Sequence, residues 1–250
     1  MPQFKLTLSY DGTAFVGWQR QAAGASVQGL LEDALAVLEG APVAVAGAGR
    51  TDAGVHALGQ IASVRLSRVL EPLTLVQAAN FRLPPTIRVL DATIVPDAFH
   101  ARFDARSKTY RYRIWNARVL SPFERAFVWH VPEPVLDVDA MSAAAAVLEG
   151  RHDFAAFQGA GPERRTTERV VFHSRACRDG DLVTYEVRGD GFLRHMVRSI
   201  VGSLVDVGRG RYPAEWMQEV IASRTRGRAG RTAPAAGLCL VRVEYEGPAL

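Results

Sequence analysis

Val43-Ala44-Val45-Ala46-Gly47-Ala48-Gly49-Arg50-Thr51-Asp52-Ala53-Gly54-Val55-His56 is the stretch that decides between two fold classes. The run 43–46 reads as a short strand. Three glycines then let the backbone turn sharply and approach a neighbour closely. Gly47-x-Gly49 begins a dinucleotide fingerprint, but Asp52 stands in its sixth position, where a carboxylate would repel a pyrophosphate. Beyond His56 the chain loops into Gln60-Ile61-Ala62-Ser63-Val64-Arg65-Leu66, which reads as a strand. The fingerprint needs a helix there, with its N-terminus facing the phosphates. A doubly wound nucleotide fold is therefore set aside.

Working outward, Phe4 to Ser9 alternates apolar and polar residues as a strand. Tyr10-Asp11-Gly12-Thr13 turns it, and the stretch through Gln21 mixes aromatics and amides as a loop. Ser26 is a candidate N-cap for a helix through Leu38 that Gly40 ends. Leu73 to Phe81 reads as a short helix closed by Pro84-Pro85, and Ile87 to Val95 as a strand. Strand, helix, strand, strand, helix, strand is the split βαβ pattern of ferredoxin-like and RNA-recognition domains.

The second half repeats that layout without a sequence repeat. Lys108 to Trp115 is a strand whose period of two puts Tyr110 and Tyr112 on one face and Arg111 and Arg113 on the other. Asp139 to Leu148 is helical. Val170 to Ala176 and Leu182 to Val187 form a hairpin around Arg178-Asp179-Gly180-Asp181. Phe192 to Val207 is an amphipathic helix, with Arg194 and Arg198 one turn apart. Pro213 starts a further short helix, Arg224 to Arg231 is a flexible basic segment, and Leu238 to Tyr245 is the last strand. The expected architecture is α/β (α+β): two ferredoxin-like lobes, residues 1–105 and 106–250, with a mostly antiparallel mixed sheet and a central cleft.

The chain of 250 residues is 48% hydrophobic and 22% charged, the makeup of an ordinary globular protein. No run approaches the ~18 apolar residues of a membrane span. Met1 to Leu6 is strand-like and has no signal-peptide pattern, so a cytoplasmic protein is expected. Cys177 and Cys239 form no CxxC pair and are expected to be reduced and buried. The six histidines lack metal spacing such as HExxH, so no metal is expected. The net charge is +4, and every basic residue except Lys5 and Lys108 is arginine. Arginine forks bind phosphate and stack on bases, which permits RNA as a partner.

Asp52 is the residue with chemistry to offer. A carboxylate on a tight loop beside the Arg50 guanidinium stays ionised and held, as a nucleophile or base requires. The plainer reading is a surface Asx-type turn. A paired-acid site is weakly supported, because the second candidate, Asp11, sits in an ordinary turn sequence. Tyr110 and Tyr112 suit base stacking or a half-buried cross-strand pair. Arg194 and Arg198 suit a solvated helix face unless Arg198 meets Asp52, and Arg224 to Arg231 suits either a mobile loop or phosphate contact.

Taken together, the motifs resemble the tRNA pseudouridine synthase A family. They are Tyr10-Asp11-Gly12-Thr13-x-Phe15-x-Gly17-Trp18-Gln19-x-Gln21, Gly49 to His56, Phe99-His100-Ala101-Arg102-Phe103, Lys108 to Tyr112, Gly191-Phe192-Leu193-x-x-Met196-Val197-Arg198-x-x-Val201-Gly202-x-Leu204, and Gly237-Leu238-x-Leu240. They run in family order from about Phe4 to Tyr245. One departure is Asp190, where the family often carries asparagine. The resemblance implies a cofactor-independent and metal-free isomerase that converts uridine to pseudouridine at positions 38, 39 and 40 of the tRNA anticodon stem-loop. It implies a homodimer that binds tRNA. It makes Asp52 the catalytic aspartate, Arg50 and Arg198 arginines that line the site and pair with that acid, Tyr110 the ring that packs on the target base, and Leu238 the apolar residue on the base's other side. The rival reading is a non-catalytic RNA-binding module that would use the aromatics and arginines without Asp52.

Overall fold

The computed structural model describes residues 1–161 and 166–246. In chain order its elements are β1 (Gln3–Tyr10), α1 (Val27–Glu39), β2 (Val45–Gly47), β3 (His56–Arg65), α2 (Pro72–Arg82), β4 (Ile87–Val95), β5 (Ser107–Trp115), β6 (Trp129–His130), α3 (Val138–Ala146), β7 (Gly150–Asp153), β8 (Glu168–Asp179), β9 (Leu182–Gly189), α4 (Met196–Gly208), α5 (Trp216–Ser223) and β10 (Leu238–Glu244). The fold is mixed α/β with mostly antiparallel strand pairing. It divides into two compact units: Met1–Arg106 with the chain from Cys239 onward, and Ser107–Leu238.

In the first unit the sheet order is β4-β1-β3-β2, with every pair antiparallel. Phe4, Leu6 and Leu8 alternate along β1 and are completely buried. Burying each such side chain contributes about 1.5–3 kcal/mol, which fixes the face of the strand. The Ser26 side chain caps α1 by accepting the Gly29 N–H at 3.2 Å, and Gly40 ends the helix in the left-handed region at φ 78°. Pro72 opens α2 in its first turn, and the helix stops at Leu83, before Pro84.

The last strand marks a difference from a single cut after residue 105. Because β2 covers only Ala62 to Val64 of β3, the same edge stays open at His56 and Ala57. β10 takes that place in parallel, pairing Cys239 with His56 and Leu240 with Ala57. A Cβ on Gly59 would lie 2.5 Å from the Val241 carbonyl oxygen, so glycine permits this approach. On this side Ala48, Ile61 and Ala101 form a small apolar cluster with Phe99, Val243 and Tyr245, and the Tyr245 hydroxyl donates to the Ala101 carbonyl at 2.7 Å.

In the second unit the strands run β5-β9-β8-β7, with β6 parallel to β5. The β8–β9 hairpin closes between Asp179 and Leu182, and Gly180 supplies the positive φ of 55°. Three expectations need correction. α4 begins at Met196 rather than Phe192, because His195 adopts φ 59° and breaks the helical path. Gly159 allows this, since a Cβ on it would lie 2.4 Å from the His195 ring. Cys177 is exposed and Cys239 half-buried, not buried, because period two on β8 turns Ser174 and Ala176 inward and Arg175 and Cys177 outward. Within the expected flexible segment, Arg226 donates to the Ala229 and Gly230 carbonyls and to the Thr232 hydroxyl, and Arg224 lies 3.1 Å from Asp153.

Candidate active site

The loop that carries Asp52 is tied down atom by atom. It leaves β2 at Gly47, where the ring of Trp18 lies so close that a Cβ would meet it at 2.5 Å. The Gly49 carbonyl accepts from the Gln60 side chain at 2.9 Å, and the Thr51 carbonyl accepts from the Trp18 N–H at 3.0 Å. The Thr51 side chain is buried, and its hydroxyl lies 2.8 Å from the Tyr10 hydroxyl. The Asp52 carbonyl accepts the Val55 N–H at 3.1 Å, closing a turn in which Gly54 takes φ 76°. Asp52 itself is half-buried, and Arg50 is exposed and forms no ion pair among the described residues.

Two further glycines seat this loop on the 10–21 stretch. A Cβ on Gly12 would lie 2.0 Å from the Val55 carbonyl oxygen, and one on Gly17, at φ 109°, 2.7 Å from the Thr51 carbonyl oxygen. Only hydrogen at those positions lets the two backbones meet. Tyr10 is buried beneath, and burial pushes its hydroxyl well above its ordinary pKa, so it stays a neutral donor. Gln60 reaches that same hydroxyl at 3.4 Å.

His56 and Asp11 flank the turn. The Gly12 N–H donates to Nδ1 of His56 at 3.0 Å, while Asp11 lies 3.2 Å from the same nitrogen. One nitrogen cannot serve both, since the first contact needs its lone pair and the second its proton. A ring with its proton on Nε2 alone accepts the Gly12 bond, whereas a ring carrying a proton on Nδ1 donates to Asp11. Partial burial works against charge on Asp11. Hydrogen bonds from the Thr13 side chain and N–H, with His56, outweigh that and hold its carboxyl below the ordinary value.

The other site residues lie in or at the end of the second unit. Tyr110 is nearly buried on β5, with its ring edge-on to Phe192 at 5.2 Å and 84°. Tyr112, on the same face, is fully buried and donates to the Pro234 carbonyl at 2.7 Å, so it is a structural ring. Arg111 and Arg113 pair with Glu186 at 3.0 Å and Glu124 at 2.8 Å. Arg198 donates from Nε to the Ala233 carbonyl at 2.7 Å, and its own carbonyl accepts the Ala233 N–H at 3.0 Å. Arg194 is outside the helix and donates to the Ala160 carbonyl at 2.8 Å. A Cβ on Gly237 would meet the Tyr112 ring at 2.5 Å, so the chain reaches the buried Leu238 by passing over that ring. Asp190 accepts the Val170 N–H at 3.0 Å through Oδ1, a bond that an asparagine would make equally well.

Sequence reasoning read Tyr10, Gly12, Gly17 and Trp18 as motif residues and Gln60 as part of a strand, but missed that they hold the Asp52 loop. Glycines at 12 and 17, with Phe15 between them and Trp18 directly after, were the available signal, because so apolar a loop has to pack on something. Among the described residues no group of three or more His, Cys, Asp or Glu is placed to hold a metal ion.

Known proteins resemble this chain along nearly its whole length. The family model described as tRNA pseudouridine synthase matches residues 7–104 and 144–246. A tRNA pseudouridine synthase A of Myxococcus xanthus is 50% identical over 251 residues, covering 99% of this chain and 94% of that protein. One of Syntrophotalea carbinolica is 48% identical, covering 98% of this chain and 97% of its own length. A looser likeness, with a TM-score of 0.40 at 12% identity, is to a chain in the crystal structure of a Cbf5-Nop10-Gar1 complex, covering 95% of this chain and 48% of that one.

Proposed function

Since the chain belongs to the tRNA pseudouridine synthase family, whose members are isomerases that convert uridine to pseudouridine, we propose that Asp52 is the catalytic carboxylate and that the uridines at positions 38, 39 and 40 of the anticodon stem-loop are its targets. The observation that carries this is the anchoring of the Asp52 loop. Its neighbour Thr51 is bonded through both hydroxyl and carbonyl, and two glycines bring the supporting backbone into contact. Such fixing suits a group that must meet a reacting atom in one geometry.

A stem uridine is out of reach inside its helix, so it is flipped out before reaction. The glycosidic N1–C bond then breaks, the base turns, C5 bonds to the sugar carbon and gives up its proton, and N1 gains one. Asp52 starts this by attack on the sugar, by attack on the base or by taking a sugar proton. Tyr110 packs on the target base, with Phe192 holding its ring in place. Leu238 bounds the base on its other side, and Arg50 and Arg198 line the site. Shape and phosphate contacts suit an enzyme that accepts three neighbouring positions. The enzyme works in the cytoplasm as a homodimer.

The test is Asp52→Asn with a tRNA substrate carrying labelled uridines. Pseudouridine formation is lost while tRNA affinity stays within a few-fold. Turnover at the normal rate removes Asp52 from the chemistry. Undiminished tRNA binding by a wild-type protein that forms no pseudouridine favours the RNA-binding module instead.

A further inference from the structure

Beyond the uridine site, the second unit presents an aromatic step with an acid and a base beside it. Pro213 turns the chain into α5, with the Trp216 N–H donating back to the Pro213 carbonyl at 3.2 Å. The turn sets Tyr212 flat on Trp216, with ring centroids 4.0 Å apart and planes 10° apart. Tyr212 is 43% exposed, so the stack faces solvent. A cavity of about 370 Å³ lies against it, lined by Tyr212, Pro213, Trp216, Glu219, Gly227 and Arg228. A Cβ on Gly227 would touch nothing within 4 Å, which leaves the floor open. Glu219 and Arg228 are both exposed and line one cavity, yet neither forms an ion pair among the described residues. An acid and a cation that share a cavity without pairing are both available to a ligand.

We propose that this cavity binds an unpaired guanine nucleotide of the tRNA, a reading that rests on tRNA being the substrate. The base stacks on the exposed aromatic step, as bases do on single-strand binding surfaces. The Glu219 carboxylate accepts from N1–H and the N2 amine of guanine, two donors side by side that match its two oxygens. Adenine presents an acceptor at N1, and uracil a single donor, so each fits less well. The Arg228 guanidinium pairs with the nucleotide's phosphate in a bidentate fork. Arg211, next to Tyr212 in the chain, is already paired with Asp206 at 2.9 Å, so the charge that meets an anion in this cavity is that of Arg228. The site gives the enzyme a hold on the tRNA separate from the flipped uridine.

The experiment is equilibrium dialysis with 5′-GMP, AMP and UMP, run beside steady-state kinetics on tRNA. All three side chains are exposed, and melting curves confirm that the variants fold. The wild type binds GMP about ten-fold more tightly than AMP or UMP. Glu219→Gln erases that preference, Tyr212→Ala weakens all three nucleotides by about five-fold or more, and Arg228→Gln raises the KM for tRNA several-fold with kcat retained. Equal binding of the three nucleotides, a GMP preference that survives Glu219→Gln, or an unchanged KM for tRNA in Tyr212→Ala and Arg228→Gln overturns the proposal. A wild type that binds GMP selectively here but makes no pseudouridine would instead count against the enzymatic reading, so the two failures are distinguishable.

Discussion

Gly12→Ala tests whether the 10–21 stretch positions the Asp52 loop. The added methyl would fall 2.0 Å from the Val55 carbonyl oxygen, 2.5 Å from its carbon and 3.0 Å from its nitrogen, where ordinary contact begins at 3.4 Å. All three are backbone atoms, so no side chain can swing aside. The loop has to retreat by roughly an ångström, and Val55 carries Asp52 with it through the 3.1 Å bond to the Asp52 carbonyl. Overpacking of this kind costs about 1–3 kcal/mol. At about 2–4 °C per kcal/mol for a chain of this size, the melting temperature falls by about 2–12 °C. A displacement of that order at a reacting group lowers the rate by about a hundred-fold. The assay is single-turnover pseudouridine formation at saturating tRNA, with melting followed by circular dichroism. Gly40→Ala is the control: its φ of 78° strains an alanine, but no atom lies within 4 Å of the new methyl. It loses stability alone, about 1–2 kcal/mol. If Gly12→Ala reacts at the wild-type rate, or if Gly40→Ala slows the reaction equally, the loop is not positioned by this contact.

Tyr10→Phe removes the hydroxyl that meets Thr51 and leaves a buried hydroxyl without its partner, at a cost of about 1–3 kcal/mol; kcat falls more than KM rises, and an unchanged kcat would make the bond purely structural. Tyr110→Phe keeps the ring against Phe192, so tRNA affinity holds while tritium release from C5 of labelled uridine slows; undiminished release means the hydroxyl is idle. Asp11 has a folded-state pKa below its unfolded value, so the stability it contributes is complete above the unfolded value and drains away as pH falls through the folded one. Acid unfolding of Asp11→Asn, monitored from pH 5 downward, is therefore shallower than that of the wild type, and superimposable curves would refute the linkage.

Most elements were readable because their signals are local. Ser26 and Gly40 bracket α1 through bonds and dihedrals within a few residues, and the alternation of Phe4, Leu6 and Leu8 needs only the two-residue period of a strand. Asp52 was legible as an acid in a glycine-rich turn, and the order of the motifs pointed to the family. The start of α4 was not, because the apolar spacing from Phe192 onward is helical while the break at His195 depends on Gly159, far away in the chain. Cys177 was misjudged because its face of β8 depends on what packs behind the sheet.

The sequence alone determined most of the local elements and, through the order of its motifs, the family, since caps, turns and periodicities act over a few bonds. Tertiary structure decided what holds the Asp52 loop. The Tyr10–Thr51 hydroxyl pair spans 41 residues, and Gly12 meets Val55 across a similar gap. It also decided that β10 returns to the open edge of β3. Contacts between segments so far apart in the chain depend on where each backbone already lies, and no local pattern of residue types encodes that.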